Sequence, residues 1–377
     1  MYLIIKKTNL KKIKNYLSIS SNSIKNTSIF IIAKNKKLTF HLSTEIYYTK
    51  LELEENENLT IKKEGEALIE IKTLNSLINS LDLKNDLEIY HPEKNYLQFF
   101  SGKYQCNLVL LEFNEFQAEK IEIPSDISPL NISYSLLNNI YSKLKDFCKN
   151  SDNSIVSNAI LTNIHLNKEE NISYIEAWAS DSYRTVYGEF DFESSKSFEL
   201  NISPHILSLI LGLFQEYKEI DFYLSNSDEY LICKKEEYTF KTKLNLSPYP
   251  EFIKWFNMDK KISFTVNKND LLAAIDRNLL LTNKEIKTTI YRVDKDKLSI
   301  EYKDSEKGHC KETLKINSKS NEKIEFCLNN NLLKSLIKFI ESEEIIFNVH
   351  DSLKPIVLLS NQKNLKFKQF ILPARNV

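Results

Sequence analysis

Apolar residues recur at helical spacing in six places: Leu10, Ile13, Leu17; Leu74, Leu77, Ile78, Leu81; Leu137, Ile140, Leu144; Ile206, Leu207, Ile210, Leu213; Leu271, Leu272, Ile275, Leu279; and Leu332, Leu333, Leu336, Ile337, Ile340. Residues three and four apart share one face of a helix, so each set predicts an amphipathic helix with a single buried stripe. The intervening chain reads mostly as strand. In the first third the strands are expected at Tyr2–Ile5, Ser28–Ile32, Lys37–Leu42, Tyr47–Leu53, Leu59–Lys63, Asp86–His91, Tyr96–Phe100 and Tyr104–Leu110. The acidic run Glu52–Glu57 reads as a solvated hairpin.

The helices fall into two alternating sets. Those opening at Leu10, Leu137 and Leu271, and those containing Leu74, Leu207 and Leu332, recur at intervals of about 130 residues, the signature of an internal repeat. Each unit runs strand, helix, several strands, helix, several strands. This order predicts an α+β chain of three tandem similar domains, each with two helices on antiparallel sheet. A chain of 377 residues is also too long for one ordinary core. Pro124–Pro129 and Pro248–Asp259 punctuate the repeats, giving expected domains 1–125, 126–255 and 256–377.

Lys+Arg and Asp+Glu both number 51, so bulk charge does not mark a nucleic-acid binder, and any such contact must come from local placement or from topology. The first apolar run, Tyr2–Ile5, stops at Lys6 and Lys7, and no stretch approaches about 18 apolar residues. A cytoplasmic chain without membrane contact is expected. Five scattered cysteines (Cys106, Cys148, Cys233, Cys310, Cys327) form no CxxC pair, so neither a disulfide framework nor a zinc site is indicated and buried thiols are expected. The six histidines are scattered as well, and His309 and Cys310 would point to opposite faces of a strand. Phosphate-loop, dinucleotide, nucleophile-elbow and metalloprotease spacings are absent. The expectation is a protein with no catalytic residues, no metal and no cofactor.

Two neighbouring segments are more specific. Leu161–Leu166 (LTNIHL) is followed by Ala179–Thr185 (ASDSYRT), similar to the "L-x-G" strand and "A-T-D-x-[HY]-R-L" segment of the bacterial sliding clamps, the beta subunits of DNA polymerase III. Further similarities run in order: Asn201–Pro204 (NISP), Lys243–Phe252 (KLNLSPYPEF), Asp276-Arg277 before Leu280–Asn283 (LLTN), Glu306–Gly308 (EKG) and Phe370–Arg375 (FILPAR). The resemblance covers the second and third units, and the first in its start, length and helix placement. In a chain that otherwise uses lysine, arginine occurs only at Arg184, Arg277, Arg292 and Arg375, three of them inside these segments.

The resemblance implies a DNA polymerase processivity factor in DNA replication. Two chains would join head to tail in a homodimeric ring, with twelve helices inside and sheets outside. The ring would encircle double-stranded DNA without sequence specificity. Helix cations Lys11, Lys12, Lys72, Lys143, Lys145, Lys149, Arg277, Lys334 and Lys338 would face the DNA in weak, mobile contacts; each alone also reads as a solvated lysine or arginine. Cys106 and Leu108 of one chain would meet Leu280 and Leu281 of the other, with core packing the alternative for each.

It further implies a groove that docks short motifs of the replicative polymerase, the clamp loader and repair proteins. Its wall would comprise Leu161, Ser180, Ser182, Tyr183, Arg184, Thr185, Pro250, Lys254, Trp255, Ile286, Leu353, Pro355, Ile371, Leu372, Pro373, Ala374 and Arg375. Plain core packing is the alternative for Leu161 and Ile371. Departures from the family pattern bear on motif preference: Ser182 and Thr185 replace a small residue and leucine, and Phe326–Asn331 (FCLNNN) replaces "F-N-x-x-Y". Two rival readings remain: an enzyme with an unrecognised site, and a repeat-built interaction protein that does not encircle DNA.

Overall fold

The computed structural model describes residues 1–21, 28–92, 95–112, 123, 127–148, 160–167, 172–193, 199–224, 229–245, 251–281, 288–305, 307–318, 320–361 and 366–374. Among these, seven α-helices form: α1 (Lys7–Ser21), α2 (Ile71–Ser80), α3 (Tyr134–Leu144), α4 (Pro204–Leu213), α5 (Ile253–Phe256), α6 (Lys268–Leu279) and α7 (Asn330–Phe339). Six carry the apolar stripes read from the sequence; α5 is a single turn that no periodicity announced. The stripes are buried as their spacing requires, with Leu10, Ile13 and Leu17 of α1 and Leu333, Leu336 and Ile337 of α7 almost fully covered. Burial of each such side chain contributes roughly 1.5–3 kcal/mol.

Helices α6 and α7 begin at asparagine caps. Asn267 accepts from the N–H groups of Asn269 and Asp270, and Asn329 from those of Asn331 and Leu332. This explains part of the FCLNNN departure. The next residue, Asn330, is fully buried, donates to Asn278 Oδ1 (3.1 Å) and accepts from the Tyr291 hydroxyl (2.5 Å), which ties α7 to α6 and to the sheet beneath.

The chain divides into two compact units, each made of two stretches: Met1–Asn138 with His205–Leu246, and Asn139–Pro204 with Ser247–Val377. The first holds a five-stranded sheet in the order Leu59–Lys63, Tyr2–Ile5, Leu87–Tyr90, Tyr96–Ser101, Tyr104–Val109. Its second sheet has eight strands: Leu130–Ser133, Glu219–Leu224, Tyr230–Lys235, Tyr238–Lys243, Tyr47–Glu54, Lys37–Ser43, Ser28–Lys34 and Gly65–Glu70. The two stretches of chain meet inside that sheet, where Tyr238 pairs with Leu51 and Thr242 with Tyr47. Helices α1 and α2 pack side by side, bridged by Asn75 and Asn79 amides donating to Ser21 and Ser18 hydroxyls (2.8 and 3.0 Å).

The second unit repeats the plan. Its nine-stranded sheet runs Glu199–Ile202, Ile160–Asn167, Ile172–Ser180, Arg184–Asp191, Phe367–Ile371, Ile356–Ser360, Glu344–Val349, Ile262–Asn267, Asn317–Ser318. The join between stretches lies where Arg184 pairs with Ile371 and Gly188 with Phe367. A four-stranded sheet follows the order Gly308–Lys315, Lys297–Asp304, Thr288–Asp294, Ile324–Asn329. All pairings among the described strands are antiparallel, which lets one face of each sheet carry helices.

Two expectations need correction. The strand Gly65–Glu70 has no counterpart in the sequence reading, because its apolar residues Ala67, Leu68 and Ile69 run directly into Ile71 of α2. Of the five thiols only Cys233 and Cys327 are buried. Cys106 and Cys310 are half-covered because each lies on the last strand of its sheet, and Cys148 because it follows the short 3-10 turn Lys145–Phe147. The Glu52–Glu57 run does turn a hairpin, with Asn56 bridging to Leu59, yet Glu52 is paired with Lys37 (2.7 Å) and Lys50 (2.8 Å) rather than merely solvated.

Candidate functional site

The segment Ser180–Arg184 is a tight turn built by its own side chains. Asp181 Oδ1 accepts from the N–H groups of Tyr183 (3.1 Å) and Arg184 (3.0 Å), and its Oδ2 takes Arg184 Nε (2.8 Å). Ser180 Oγ donates to the Arg184 carbonyl (3.1 Å) and accepts from Thr185 (3.0 Å). Ser182 closes the turn with φ at 71°, the left-handed region where a glycine fits without cost, which accounts for the small residue at this place in the pattern.

Arg184 is deeply engaged, its side chain 12 % exposed. Besides Asp181 it donates to the Asp146 carbonyl (2.9 Å) and to Ser335 of α7, and its guanidinium lies 4.8 Å from the centre of the Phe147 ring. It is a clip that holds the turn to α7 and to the 3-10 turn. Cys148 lies in the same cluster, where burial and the nearby Asp181 carboxylate push its thiol up to about 12.

Strand register brings much of the expected groove together. Arg184 and Ile356 both pair with Ile371, so Tyr183, Leu372 and Pro355 occupy the same end of three adjacent strands. The Leu372 N–H donates to the Tyr183 carbonyl (2.8 Å) and the Ala374 N–H to Cys327 (2.8 Å), which fixes the path of the tail. At this end Tyr183 is 55 % exposed and Leu353 79 %, with Leu372 also exposed. Leu353 is presented by a turn in which Asp351 accepts from the N–H groups of Leu353 and Lys354 (2.8 Å each).

The remaining residues divide between the two faces of the sheet, as alternation demands. Ile371 is fully buried on the face shared with Arg184, while Ser180 and Thr185 are buried on the other. Pro355 is buried, and Pro373 and Ala374 are half-covered. On the Thr185 face α5 packs through Phe252 and Phe256, one turn apart. They lie 5.6 Å from the Phe370 ring and 6.4 and 5.9 Å from Trp178, which packs against Tyr187 at 4.4 Å with the rings tilted by 52°. Trp255 is half-covered, and Lys254 is exposed and paired with Glu251. Sequence reasoning missed Phe252, Phe256, Phe370 and Trp178; the i, i+4 pair of phenylalanines flanking Trp255 was the available signal. The Leu161 side chain, Pro250, Ile286, Arg375 and Lys149 lie outside the described residues.

The helix cations differ in how they are held. Lys11 lies 3.8 Å from Glu216, Lys12 pairs with Glu237, Lys143 with Glu341 (2.6 Å), Arg277 with Glu312 (2.5 and 3.0 Å) and Lys334 with Asp276. Lys145 lies 5.5 Å from the Tyr141 ring. Lys72 and Lys338 are exposed and make no ion pair among the described residues. Of the residues expected at a contact between chains, Leu280 is 80 % exposed just past α6, Leu281 and Cys106 are half-covered and Leu108 is buried.

Among the described residues no cluster of three or more His, Cys, Asp or Glu side chains could hold a metal, and no helix is long and apolar enough to cross a membrane.

Residues 255–375 match the family described as "DNA polymerase III beta subunit, C-terminal domain". The beta sliding clamp of Mycoplasma genitalium is 27 % identical over 391 aligned positions covering all of both chains, and that of Bacillus subtilis 23 % over 93 % of this chain and 92 % of its own. The crystal structure of the Caulobacter crescentus DNA polymerase sliding clamp shares the fold over the full length of both chains, with a TM-score of 0.84 at 15 % identity. The C-terminal match, the end-to-end relatives and the shared fold agree: along its whole length the chain is similar to the bacterial sliding clamps, the beta subunits of DNA polymerase III.

Proposed function

We propose that two copies of this chain close head to tail into a ring around duplex DNA, each contributing three clamp domains near 1–125, 126–255 and 256–377, and tether the replicative polymerase without performing catalysis. The observation that carries this reading is the likeness to sliding clamps over the entire chain rather than over one domain. The ring works in the cytoplasm. Its partners are the polymerase, a clamp loader that opens it and repair proteins that share its docking groove.

A ring that must slide needs retention by topology and only weak attraction to phosphate. Five of the helix cations already have carboxylate partners, and these compete with phosphates for them. Lys72, Lys145 and Lys338 supply the residual attraction. Since each fixed phosphate contact steepens the salt dependence of binding, pre-paired cations favour mobility.

The groove takes an extended peptide at the strand ends bearing Tyr183, Leu353, Pro355 and Leu372, with α5 and its aromatic cluster as backing. Exposed apolar side chains on a rigid floor are the arrangement expected of anchor pockets. Arg184 holds the floor in place rather than touching the peptide. The chain-to-chain contact joins the strand Tyr104–Val109 of one copy to the strand Gly308–Lys315 of the next, each being the last in its sheet among the described strands. Leu280 and Leu281 cover that joint together with Cys106 and Leu108.

The test is loading onto nicked circular DNA with a cognate loader and ATP, followed by linearisation. Release on cutting the circle is expected; retention on linear DNA would mean ordinary phosphate binding and overturn the reading.

A further inference from the structure

We propose that Cys106 of one copy and Cys310 of the next lie opposite each other at the ring joint and form an intersubunit disulfide under oxidising conditions, locking the ring shut. The proposal rests on the head-to-tail reading above and adds a covalent, reversible lock to it.

Tyr104–Val109 ends the five-stranded sheet and Gly308–Lys315 the four-stranded one, so each offers one unpaired ladder side among the described strands. Each edge carries one half-covered free thiol. An exposed ladder attracts another strand, and here the apolar residues Tyr104, Val109 and Leu280 are exposed beside the two edges.

Alternation then decides which side chains can meet. On the first strand Gln105, Asn107 and Val109 are exposed while Cys106 and Leu108 turn toward the covered face. On the second, His309, Lys311 and Thr313 are exposed while Cys310, Glu312 and Leu314 turn inward. Antiparallel pairing with Cys106 opposite Cys310 sets Gln105 against Lys311 and Asn107 against His309 on the exposed face. On the covered face it sets Tyr104 against Glu312, and Leu108 against Gly308, which has no side chain to obstruct it. A slip by one residue would put Cys106 and Leu108 on the polar face, so the burial pattern opposes it.

Directly opposed residues of an antiparallel pair have Cα atoms about 4.5–5.5 Å apart, within the roughly 4.4–6.8 Å that a disulfide spans. Cys310 is already oriented: the Asn278 side-chain amide lies 3.1 Å from its sulfur, and Asn278 is fixed in turn by Thr289 (2.9 Å). Leu280 follows two residues later, at the end of α6, where it can cover the pair.

The oxidant is a low-molecular-weight disulfide. One protein thiolate attacks it and forms a mixed disulfide with release of one small thiol; the opposing thiolate then attacks the protein sulfur and expels the second. Two protein thiols and one small disulfide give one protein disulfide and two small thiols, and an excess of small thiol reverses the exchange.

The experiment uses the full chain, sedimented first under reducing conditions to establish its assembly, then treated with oxidised glutathione and run on a non-reducing denaturing gel. A species at twice the 44.2 kDa chain mass is expected, with Cys106 and Cys310 peptides joined by mass spectrometry and no dissociation on dilution. Cys106→Ser and Cys310→Ser alone should each give only monomer on the gel, whereas a mixture of the two variants should regain covalent dimer through its one intact joint. Covalent dimer in either single variant, or a sedimenting dimer that never cross-links, would overturn the lock while leaving the ring intact. A chain that sediments only as monomer would overturn the head-to-tail reading itself.

Discussion

Ser182 holds a left-handed backbone angle that costs an L side chain about 1 kcal/mol, and its side chain makes no hydrogen bond among the described residues to offset that cost. Ser182→Gly should therefore raise the urea midpoint, with a gain in unfolding free energy of up to about 0.5 kcal/mol once the extra freedom of glycine in the unfolded chain is set against the relieved strain. Arg184 behaves oppositely. Removing its guanidinium strands the buried Asp181 carboxylate and the Asp146 carbonyl, so Arg184→Ala should cost about 3 kcal/mol, and Arg184→Lys should recover only part because an ammonium cannot reproduce the fork. The sequence singled out Arg184 by its rarity. Its role as a clip was not legible, because Ser335 and Asp146 reach it only through the fold. His41 is another case, an apparently idle histidine in the sequence. Burial, aided by nearby Lys50, lowers its pKa from 6.5 to about 4, while Tyr48 and Thr39 hold the ring. The unfolded chain thus binds a proton near pH 6.5 that the folded chain refuses, so stability is full above that pH and falls as pH drops toward 4. The loss should reach about 2 kcal/mol by pH 5, and stability measured against pH in a His41→Gln variant should lack it.

At the scale of elements, helices were the most legible part of the chain, since an apolar stripe repeated over two or three turns at this spacing fits a helix and no strand. Short elements were not. α5 spans one turn, too little for a period to show, and Gly65–Glu70 merges with the helix after it. Yet α5 backs the strand ends of the proposed groove, because Phe252 and Phe256 anchor it to Phe370 and Trp178 and leave Ile253 and Lys254 outward. This separates two classes of substitution. Tyr183→Ala and Leu353→Ala remove exposed side chains and should leave stability within about 0.5 kcal/mol while weakening a clamp-binding peptide roughly tenfold or more, read by fluorescence anisotropy. Phe256→Ala should instead lower the melting temperature, with a cost of about 2 kcal/mol, and weaken the peptide only through loss of the backing. Equal effects of all three on stability would mean that the strand ends are part of the core.

For the molecule as a whole, the fold class was readable because six apolar stripes alternate with strand-like segments, and the family resemblance because segments such as ASDSYRT and FILPAR follow one another in order. Which cations stay free was not readable, since ion pairs such as Lys143 with Glu341 join residues far apart in sequence. At this scale Leu280→Asp, placed in an exposed position, should leave the thermal midpoint nearly unchanged yet shift sedimentation from dimer toward monomer. The pairing of Tyr238–Thr242 with Tyr47–Leu51 carries one more implication. A protein cut near residue 125 would bare five residues of raw ladder on its first piece, so that piece should be a poor solo performer. Its missing complement should recognise that same bare strand, and co-expressed halves should knit back together along it, much as a torn sheet of paper fits only its own other edge.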